Sequence, residues 1–413
     1  MKKSNSKSPK KAGGEKNLGL VSSVFAVVLG LLVGLLILLV CNPSQAFAGF
    51  GTILTGAVTE GLYGIGMVFY YATPIICTGL AVGFAFKTGL FNIGASGQFT
   101  MGGFAAIVVG VTLPQLGGVH WVVALLAAVL AGALWAVIPG LLKAFANINE
   151  VIACIMMNYI GMYVVNWAIK DTPALFNKTN NRSNAVAATA NIPKFGLDKI
   201  FTGSAVNGGF IIALLAVAVV YIILTKTTFG YELRAVGFNR DASKYAGINE
   251  KKSITMSMAI SGALAGLGGG LLYLAGSGKY IEIVDEIAAE GFDGISVALL
   301  GLSSPIGILL AGLFIAYIRQ GGFYLQLFEF SQEIIDIIVA VIIYFSAFSL
   351  IVRSYMMKRN AKKADRLNVP ETPSPQIPAP LHQPIPGEEA KAGDVGDQTT
   401  DEDPLQKEEG GDE

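Results

Sequence analysis

The chain has 413 residues, of which 53% are hydrophobic and 14% are charged. This amount of apolar surface exceeds what a soluble protein of this length can bury, so the composition predicts an integral membrane protein with the lipid bilayer as its solvent. The formal net charge is zero, which excludes an overall field that would attract nucleic acid, and two histidines with three scattered cysteines exclude a metal centre or a catalytic cluster built on these residues.

The first predicted element is a membrane span at Leu20–Val40. This uncharged run is long enough to cross a hydrocarbon core of about 30 Å, and it follows a lysine-rich segment, residues 1–17. By the positive-inside rule, the N-terminus is predicted to lie in the cytoplasm. Cys41 follows the run, but the bulky Val40 before it argues against processing as a lipoprotein.

The remaining apolar runs predict further helices and therefore an all-α polytopic membrane protein. They are, in chain order, Leu62–Phe86, Ile93–Leu113, Val119–Leu142, Val151–Ile169, Phe210–Leu224, Ile254–Ala275, Ile295–Ile318 and Ile334–Val352. An odd number of spans places the C-terminus outside, whereas the basic residues within 353–363 indicate that it lies inside. One further crossing is therefore needed.

The run Ile295–Ile318 supplies this crossing because Gly301–Pro305 interrupts it. Glycine, serine and proline can divide a long run into two short helices. We therefore expect about ten transmembrane helices, including broken or half helices, with both termini in the cytoplasm. Residues 1–17 are the basic N-terminus, residues 18–352 the transmembrane domain, and residues 353–413 a disordered tail rich in proline and acidic residues.

A glycine-rich polar segment, Gly89–Phe99, lies at the start of the third predicted span. Its glycines permit an irregular backbone, which is tolerated at membrane depth only where protein or a water-filled cavity surrounds it. Asn92 and Gln98 carry amide groups suited to a neutral polyhydroxylated solute. Amide hydrogen bonds between packed helices are the alternative explanation.

Glu150 and Asn158 lie at the start of the fifth predicted span and within it. Glu150 either complements the positive N-terminus of a helix or contributes to a solute pathway. Asn158, about two turns deeper on the same face, is predicted to hydrogen-bond inside the bundle. Further along the chain, small residues that include Gly262, Gly266 and Gly269 form a stripe that predicts close helix packing.

The loop between the sixth and seventh predicted spans, residues 225–253, has its own predicted structure. A small-residue turn at Ala235–Gly237 precedes a short helix at Asp241–Tyr245. Asn239 is suited to cap this helix at its N-terminus, and Gly247 is suited to end it. The basic surroundings fit either a groove on a cytosolic partner or the anionic headgroups of the membrane surface.

This loop resembles the coupling loop of permease subunits in the family of branched-chain amino acid, ribose and nucleoside importers. The matching residues are Thr227, Gly230, Arg234, Ala235, Gly237, Asn239, Ala242, Gly247 and Ile248. Four other segments match the family in the expected order, namely residues 89–103, 147–160, 260–269 and 291–307. The chain is most similar to the nucleoside-type members, but it has Ser96 where an acidic residue is expected.

The resemblance implies the type II-like fold of an ATP-binding-cassette (ABC) importer. In such a transporter this chain is the permease subunit, and it moves a nucleoside or a simple-sugar-like solute into the cell. The implied partners are a cytosolic subunit that binds ATP and Mg²⁺, a second and different permease, and an extracellular solute-binding lipoprotein. No cofactor is expected in this chain itself, and the implied location is the bacterial plasma membrane.

The resemblance and the residue chemistry together predict two sets of functional residues. The solute pathway is predicted to include Asn92, Gln98, Glu150 and Asn158, and contact with the ATPase is predicted for Arg234, Gly237, Asn239, Tyr245 and Gly247. Two alternatives remain open. One is an ion-coupled secondary transporter, although the spans lack the carboxylate away from their ends that such proteins usually need. The other is an ABC permease for ribose or branched-chain amino acids.

Overall fold

A computed structural model of the protein describes residues 11–331, 333–342 and 344–345. Residues 1–363 belong to one compact unit, and residues 364–413 form a second unit that lies outside the described residues. The predicted tail, residues 353–413, and the second half of the last predicted span therefore also lie outside them. Residues 333–342, where that span begins, are helical.

The described part of the chain is almost entirely helical. In chain order the helices are α1 (Lys11–Cys41), α2 (Ala46–Thr59), α3 (Gly61–Lys87), α4 (Ala95–Thr112), α5 (His120–Ala146), α6 (Glu150–Asp171), α7 (Leu197–Ile200), α8 (Gly209–Lys226), α9 (Thr228–Phe238), α10 (Arg240–Tyr245), α11 (Glu250–Tyr273), α12 (Ala289–Leu300) and α13 (Pro305–Phe323). Within the described residues, seven helices are long and apolar enough to cross a membrane. The prediction of an all-α polytopic membrane protein is confirmed.

Helix α2 was not predicted, because its 14 residues are fewer than the roughly 20 that a spanning helix needs. It packs against α13 through small residues. A β-carbon on Gly56 would lie 3.2 Å from the Gly321 Cα, and one on Gly321 would lie 2.2 Å from the Ile53 carbonyl oxygen. The two backbones therefore approach closely only because these positions carry glycine.

The predicted interruption near Gly301 is confirmed, and it separates α12 from α13. Leu302 and Ser303 have positive φ angles of 53° and 51°, and Pro305 begins α13, where its missing N–H costs no helical hydrogen bond. Helix α12 has 12 residues and rises by about 18 Å, which is less than a hydrocarbon core of about 30 Å. It is a half helix that folds back on α13.

Helix α11 packs along α5 and α4 by means of the predicted glycine stripe. A β-carbon on Gly262 would lie 2.3 Å from the Gly132 carbonyl oxygen of α5, and one on Gly269 would lie 2.2 Å from the Phe99 carbonyl oxygen of α4. Real β-carbons do not approach oxygen atoms this closely, so these helices meet backbone to backbone. The prediction of close packing at this stripe is confirmed.

The segment 172–208, between α6 and α8, covers one end of the bundle. It contains the strand pair β1 (Phe176–Asn177) and β2 (Arg182–Ser183), which are antiparallel. The Ser183 N–H donates to the Ile281 carbonyl at 2.8 Å, and the Arg182 guanidinium lies 3.7 Å from the centre of the Tyr280 ring. We call this end of the bundle the far end, and the opposite end, which carries α9 and α10, the coupling end.

We predict that Gly262→Val destabilises the protein, because its side chain must push α11 away from α5. Overpacking of this kind costs about 1–3 kcal/mol, and thermal unfolding in detergent should show a lower midpoint. Gly51→Val is the matched control, since no atom beyond its chain neighbours and its own helix backbone lies within 4 Å of a β-carbon at that position. Equal midpoints for the two variants would contradict backbone contact at the stripe.

Candidate transport site and coupling surface

A buried polar cluster surrounds the break between α3 and α4, and its amide hydrogen bonds are those of the alternative explanation for the glycine-rich segment. The Asn92 side-chain amide donates to Gln98 Oε1 at 2.8 Å and to Ser261 Oγ at 2.7 Å. The Gln98 amide donates back to Asn92 Oδ1 at 3.0 Å. Both amide side chains are fully buried. Asn92 therefore links the break to α4 through Gln98 and to α11 through Ser261.

Asn158 joins the same region to α6. The Gly97 N–H donates to Asn158 Oδ1 at 2.8 Å, and the Asn158 amide donates to the Ile93 carbonyl at 3.0 Å. Gly97 lies in the first turn of α4, where backbone N–H groups have no partner within their own helix. The prediction that Asn158 hydrogen-bonds inside the bundle is confirmed.

Glu150 lies at the coupling end rather than in the buried cluster. Its carboxylate is 2.8 Å from Lys143 Nζ, which links the start of α6 to the end of α5. The neighbouring Asn149 caps α6, because its Oδ1 accepts a hydrogen bond from the Val151 N–H at 2.9 Å. Glu150 is thus placed where it complements the positive end of α6, as one of its two predicted roles requires.

Ser96, the position that departs from the family pattern, contacts the start of α12. Its hydroxyl donates to the Ala288 carbonyl, and a β-carbon on Gly291 would lie 2.3 Å from the Ser96 Cα. A carboxylate at position 96 would face that carbonyl oxygen and repel it. A serine therefore fits this close contact between α4 and the half helix.

A bidentate ion pair that the sequence did not reveal joins α12 to α13. Arg319 Nη1 lies 2.8 Å from Asp293 Oδ2, and Arg319 Nη2 donates to Asp293 Oδ1 at 2.9 Å. Arg319 falls one residue beyond the predicted span Ile295–Ile318, and Asp293 falls two residues before it. The sequence did contain a signal for this ion pair. Two opposite charges flank an apolar run that is interrupted at its middle, and a run that folds back at the interruption brings its two ends together.

Two cavities lie at the far end of the bundle. The smaller has a volume of about 280 Å³ and is lined by Tyr70, Tyr71, Pro74, Ile75, Leu272, Lys279, Ala289, Glu290, Arg319, Phe323, Ile335 and Asp336. The larger has a volume of about 600 Å³ and is lined mainly by residues 277–290 and parts of α6 and α11. The residues predicted for the solute pathway line neither cavity, so their role in transport stays a prediction.

Helices α9 and α10 form the surface of the coupling end. Asn239 caps α10, because its Oδ1 accepts from the Ala242 N–H at 2.9 Å, and Gly247 follows the helix with a φ of 82°. Both parts of the prediction are confirmed. The predicted turn at Ala235–Gly237 is wrong, because these residues form the last turns of α9.

The glycine in that last turn of α9 is needed for contact with the α3–α4 break. A β-carbon on Gly237 would lie 2.5 Å from the Lys87 carbonyl oxygen and 2.9 Å from the Gly89 backbone nitrogen. Gly89 itself has a φ of 74°, a conformation that glycine adopts at little cost. Helix α9 is therefore seated directly on the irregular backbone that leads to Asn92.

The outer face of α9 and α10 is exposed and rich in aromatic and basic residues. Phe238 and Tyr245 are 95% and 94% exposed, and Arg234 is exposed beside them. Arg240 holds this face to the bundle, since its Nε lies 2.6 Å from Glu250 Oε2 and its Nη1 donates to Asn147 Oδ1 at 3.4 Å. This surface is attached to α5 and α11, and its large aromatic side chains are exposed.

Comparison with known proteins identifies relatives over most of the chain. The family described as the permease component of branched-chain amino acid transport systems matches residues 64–347. A guanosine ABC transporter permease of Bacillus subtilis is 39% identical over 84% of this chain and 98% of the relative. A nucleoside ABC transporter permease of Lactococcus lactis is 34% identical over 83% of this chain and 94% of the relative. The glucose ABC transporter permease of Haloferax volcanii is 31% identical over 78% and 85% of the two chains. No solved structure matches.

We predict that Asn158→Leu lowers the thermal stability of the protein in detergent. The substitution leaves the Gly97 N–H and the Ile93 carbonyl without partners, and each buried unpaired group costs about 1–3 kcal/mol. Tyr159→Leu is the matched control, since the neighbouring Tyr159 is 46% exposed. An unfolding midpoint for Asn158→Leu equal to that of the control would contradict the role of Asn158 at the α3–α4 break.

Proposed function

The chain belongs to the permease-component family of branched-chain amino acid transport systems, and from this premise we propose that it imports a nucleoside as the transmembrane subunit of an ABC importer. The observation that carries the choice of solute is the 39% identity to a guanosine permease over 98% of that relative's length. The 34% identity to a nucleoside permease supports the same choice. Family membership favours an ATP-driven importer over the ion-coupled alternative.

The proposed transporter has partners that supply what this chain lacks. A separate cytosolic subunit binds ATP and Mg²⁺ and hydrolyses the ATP, and an extracellular lipoprotein delivers the solute. A second, different permease forms the other half of the pathway. The chain lies in the bacterial plasma membrane with both termini in the cytoplasm, and the lysines before the first apolar run support this orientation.

Contact with the ATPase is assigned to the coupling end, namely to Arg234, Gly237, Asn239, Tyr245 and Gly247. Two features support this assignment. The aromatic and basic side chains on α9 and α10 are exposed, as a docking surface requires. Gly237 connects this surface to the α3–α4 break, and Arg240 connects it to α5 and α11. A displacement of α9 is therefore transmitted to the membrane-embedded part of the chain.

The solute pathway is assigned to Asn92, Gln98, Asn158 and Glu150 in a conformation that differs from the one described. In the described conformation the side-chain amides of Asn92, Gln98 and Asn158 are buried, and they form their hydrogen bonds within the protein. Their position at a helix break supports the assignment, because a break can rearrange without unfolding a long helix. Amides that exchange internal hydrogen bonds for bonds to a ribose hydroxyl would lower the cost of moving a polar solute through the bundle.

The proposed function is tested by uptake of labelled guanosine in cells that lack the chain. Deletion should abolish uptake, and the full-length chain should restore it. Uptake should fall when ATP is depleted and should persist when an ionophore collapses the ion gradients. Normal guanosine uptake in the deletion strain, with loss of glucose or leucine uptake instead, would assign another solute, and sensitivity to the ionophore alone would support the ion-coupled alternative.

We predict that Arg234→Glu uncouples ATP hydrolysis from uptake. The Arg234 Nε donates within α9 to the Gly230 carbonyl at 3.2 Å, and the side chain is exposed, so the reversed charge should act on the partner rather than on the fold. Uptake should fall at least about tenfold, which corresponds to roughly 1.4 kcal/mol, while the complex still assembles.

Lys178→Glu, an exposed charge reversal in the segment 172–208, is the control for Arg234→Glu. This residue lies at the far end of the bundle, so the control variant should transport at the normal rate. If both variants take up solute normally at the normal cost in ATP, Arg234 has no part in the contact with the ATPase.

A further inference from the structure

On the premise that the solute is a nucleoside, we propose that the smaller far-end cavity is a nucleoside-binding subsite within the permease itself. The cavity encloses about 280 Å³ between α3, α12, α13 and the helical residues 333–342. Tyr70 and Tyr71 lie about 16 residues before the end of α3 at Lys87, or about 24 Å along the helix. The subsite is therefore distinct from the buried amide cluster at the α3–α4 break.

Three aromatic side chains line the cavity, which suits a flat heterocyclic base. Tyr70 is fixed by a hydrogen bond of 2.8 Å between its hydroxyl and Ser277 Oγ, and its ring meets the Tyr71 ring edge-on at 5.2 Å. Phe323 enters from α13 and is 52% exposed. Fixed rings with free faces bind bases by stacking, and half-exposed Phe323 has such a face available.

The charged residues in the lining favour a neutral solute with several hydrogen-bonding groups. The cavity is lined by two basic residues, Lys279 and Arg319, and two acidic residues, Glu290 and Asp336. Because Arg319 also pairs with Asp293 at 2.8 Å, the acidic residues here outnumber the basic ones, so the lining offers donors and acceptors without a positive field for a phosphate. A nucleoside fits this chemistry, whereas a nucleotide does not.

Arg319 is positioned for this role by its ion pair with Asp293. The pair uses both Nη atoms, at 2.8 and 2.9 Å, and it fixes the guanidinium between α12 and α13. The Arg319 side chain, held in this way, forms part of the cavity lining.

The subsite adjoins a route from the far end. The larger cavity, of about 600 Å³, shares four lining residues with the smaller one: Leu272, Lys279, Ala289 and Glu290. Its other lining residues include most of the segment 277–290, which the strand pair β1–β2 contacts through Ile281. The two cavities therefore adjoin at Lys279 and Glu290, and we expect a solute in the larger cavity to reach the aromatic lining past these two side chains.

The subsite is tested in the complete transporter by Tyr71→Ala and Phe323→Ala. Loss of one stacking ring should raise the KM for guanosine uptake about tenfold, as stacking contributes about 1–3 kcal/mol per base. The maximal rate, the assembly of the complex and its ATP hydrolysis without solute should remain near normal. Tyr71→Phe should retain the original KM, and so should Tyr221→Ala, which removes an exposed ring of α8 outside both cavities.

A labelling experiment gives a second readout that does not depend on transport. Ala289→Cys, at an exposed position in the cavity lining that leaves all three rings in place, is introduced together with Cys41→Ser, because Cys41 is exposed whereas Cys77 and Cys154 are buried. Guanosine should slow the reaction of the new thiol with a maleimide, and glucose or leucine should not. No protection, or protection by glucose or leucine only, would overturn the nucleoside subsite.

Failure of the subsite is distinguishable from failure of the proposed function. If the unaltered transporter imports guanosine but Tyr71→Ala and Phe323→Ala keep its KM, the subsite is wrong and the importer assignment stands. If the unaltered transporter does not import guanosine, the proposed solute is wrong, and the subsite assignment falls with it.

Discussion

The hydrocarbon core of the membrane offers no water to a broken helix, and this constraint shapes the rest of the structure. Each irregular backbone segment must have its N–H and carbonyl groups paired within the protein. At the break between α3 and α4, Asn158 pairs with Gly97 and Ile93. At the break between α12 and α13 the turn pairs with itself, as the Ser303 N–H donates to the Ala298 carbonyl at 2.7 Å. Both breaks are thereby stable without solvent.

These two breaks lie between the parts of the chain that a transporter must connect. At the coupling end, α9 rests on the first break through Gly237, and Arg240 ties α10 to α5 and α11. The second break lets α12 and α13 fold together, which brings Asp293 to Arg319 beside the smaller cavity. The glycine stripe of α11 holds the intervening helices at backbone distance, so displacement of one helix must move its neighbours.

The sequence was most informative where a local rule decides the structure. The cap at Asn239, the end at Gly247 and the interruption at Gly301–Pro305 follow from residue chemistry within a few positions, and each was predictable. Helix α2 was missed because a 14-residue apolar segment falls below the length that marks a span. The ion pair and the cavities depend on contacts between helices distant in sequence, which periodicity does not encode. The turn assigned to Ala235–Gly237 failed because packing against Lys87 and Gly89 favours the helix at these small residues.

We propose that a separate ATPase docks on α9 and α10 and thereby moves this chain. The most direct test is purification of the full-length tagged chain from its own membranes in mild detergent, with mass spectrometry of what accompanies it and a crosslinker placed at Tyr245→Cys. We expect that an ATP-binding subunit copurifies and that the crosslink from position 245 joins the chain to that subunit. Isolation of the chain without any ATP-binding subunit, from membranes that carry out the uptake, would show that no such ATPase moves it.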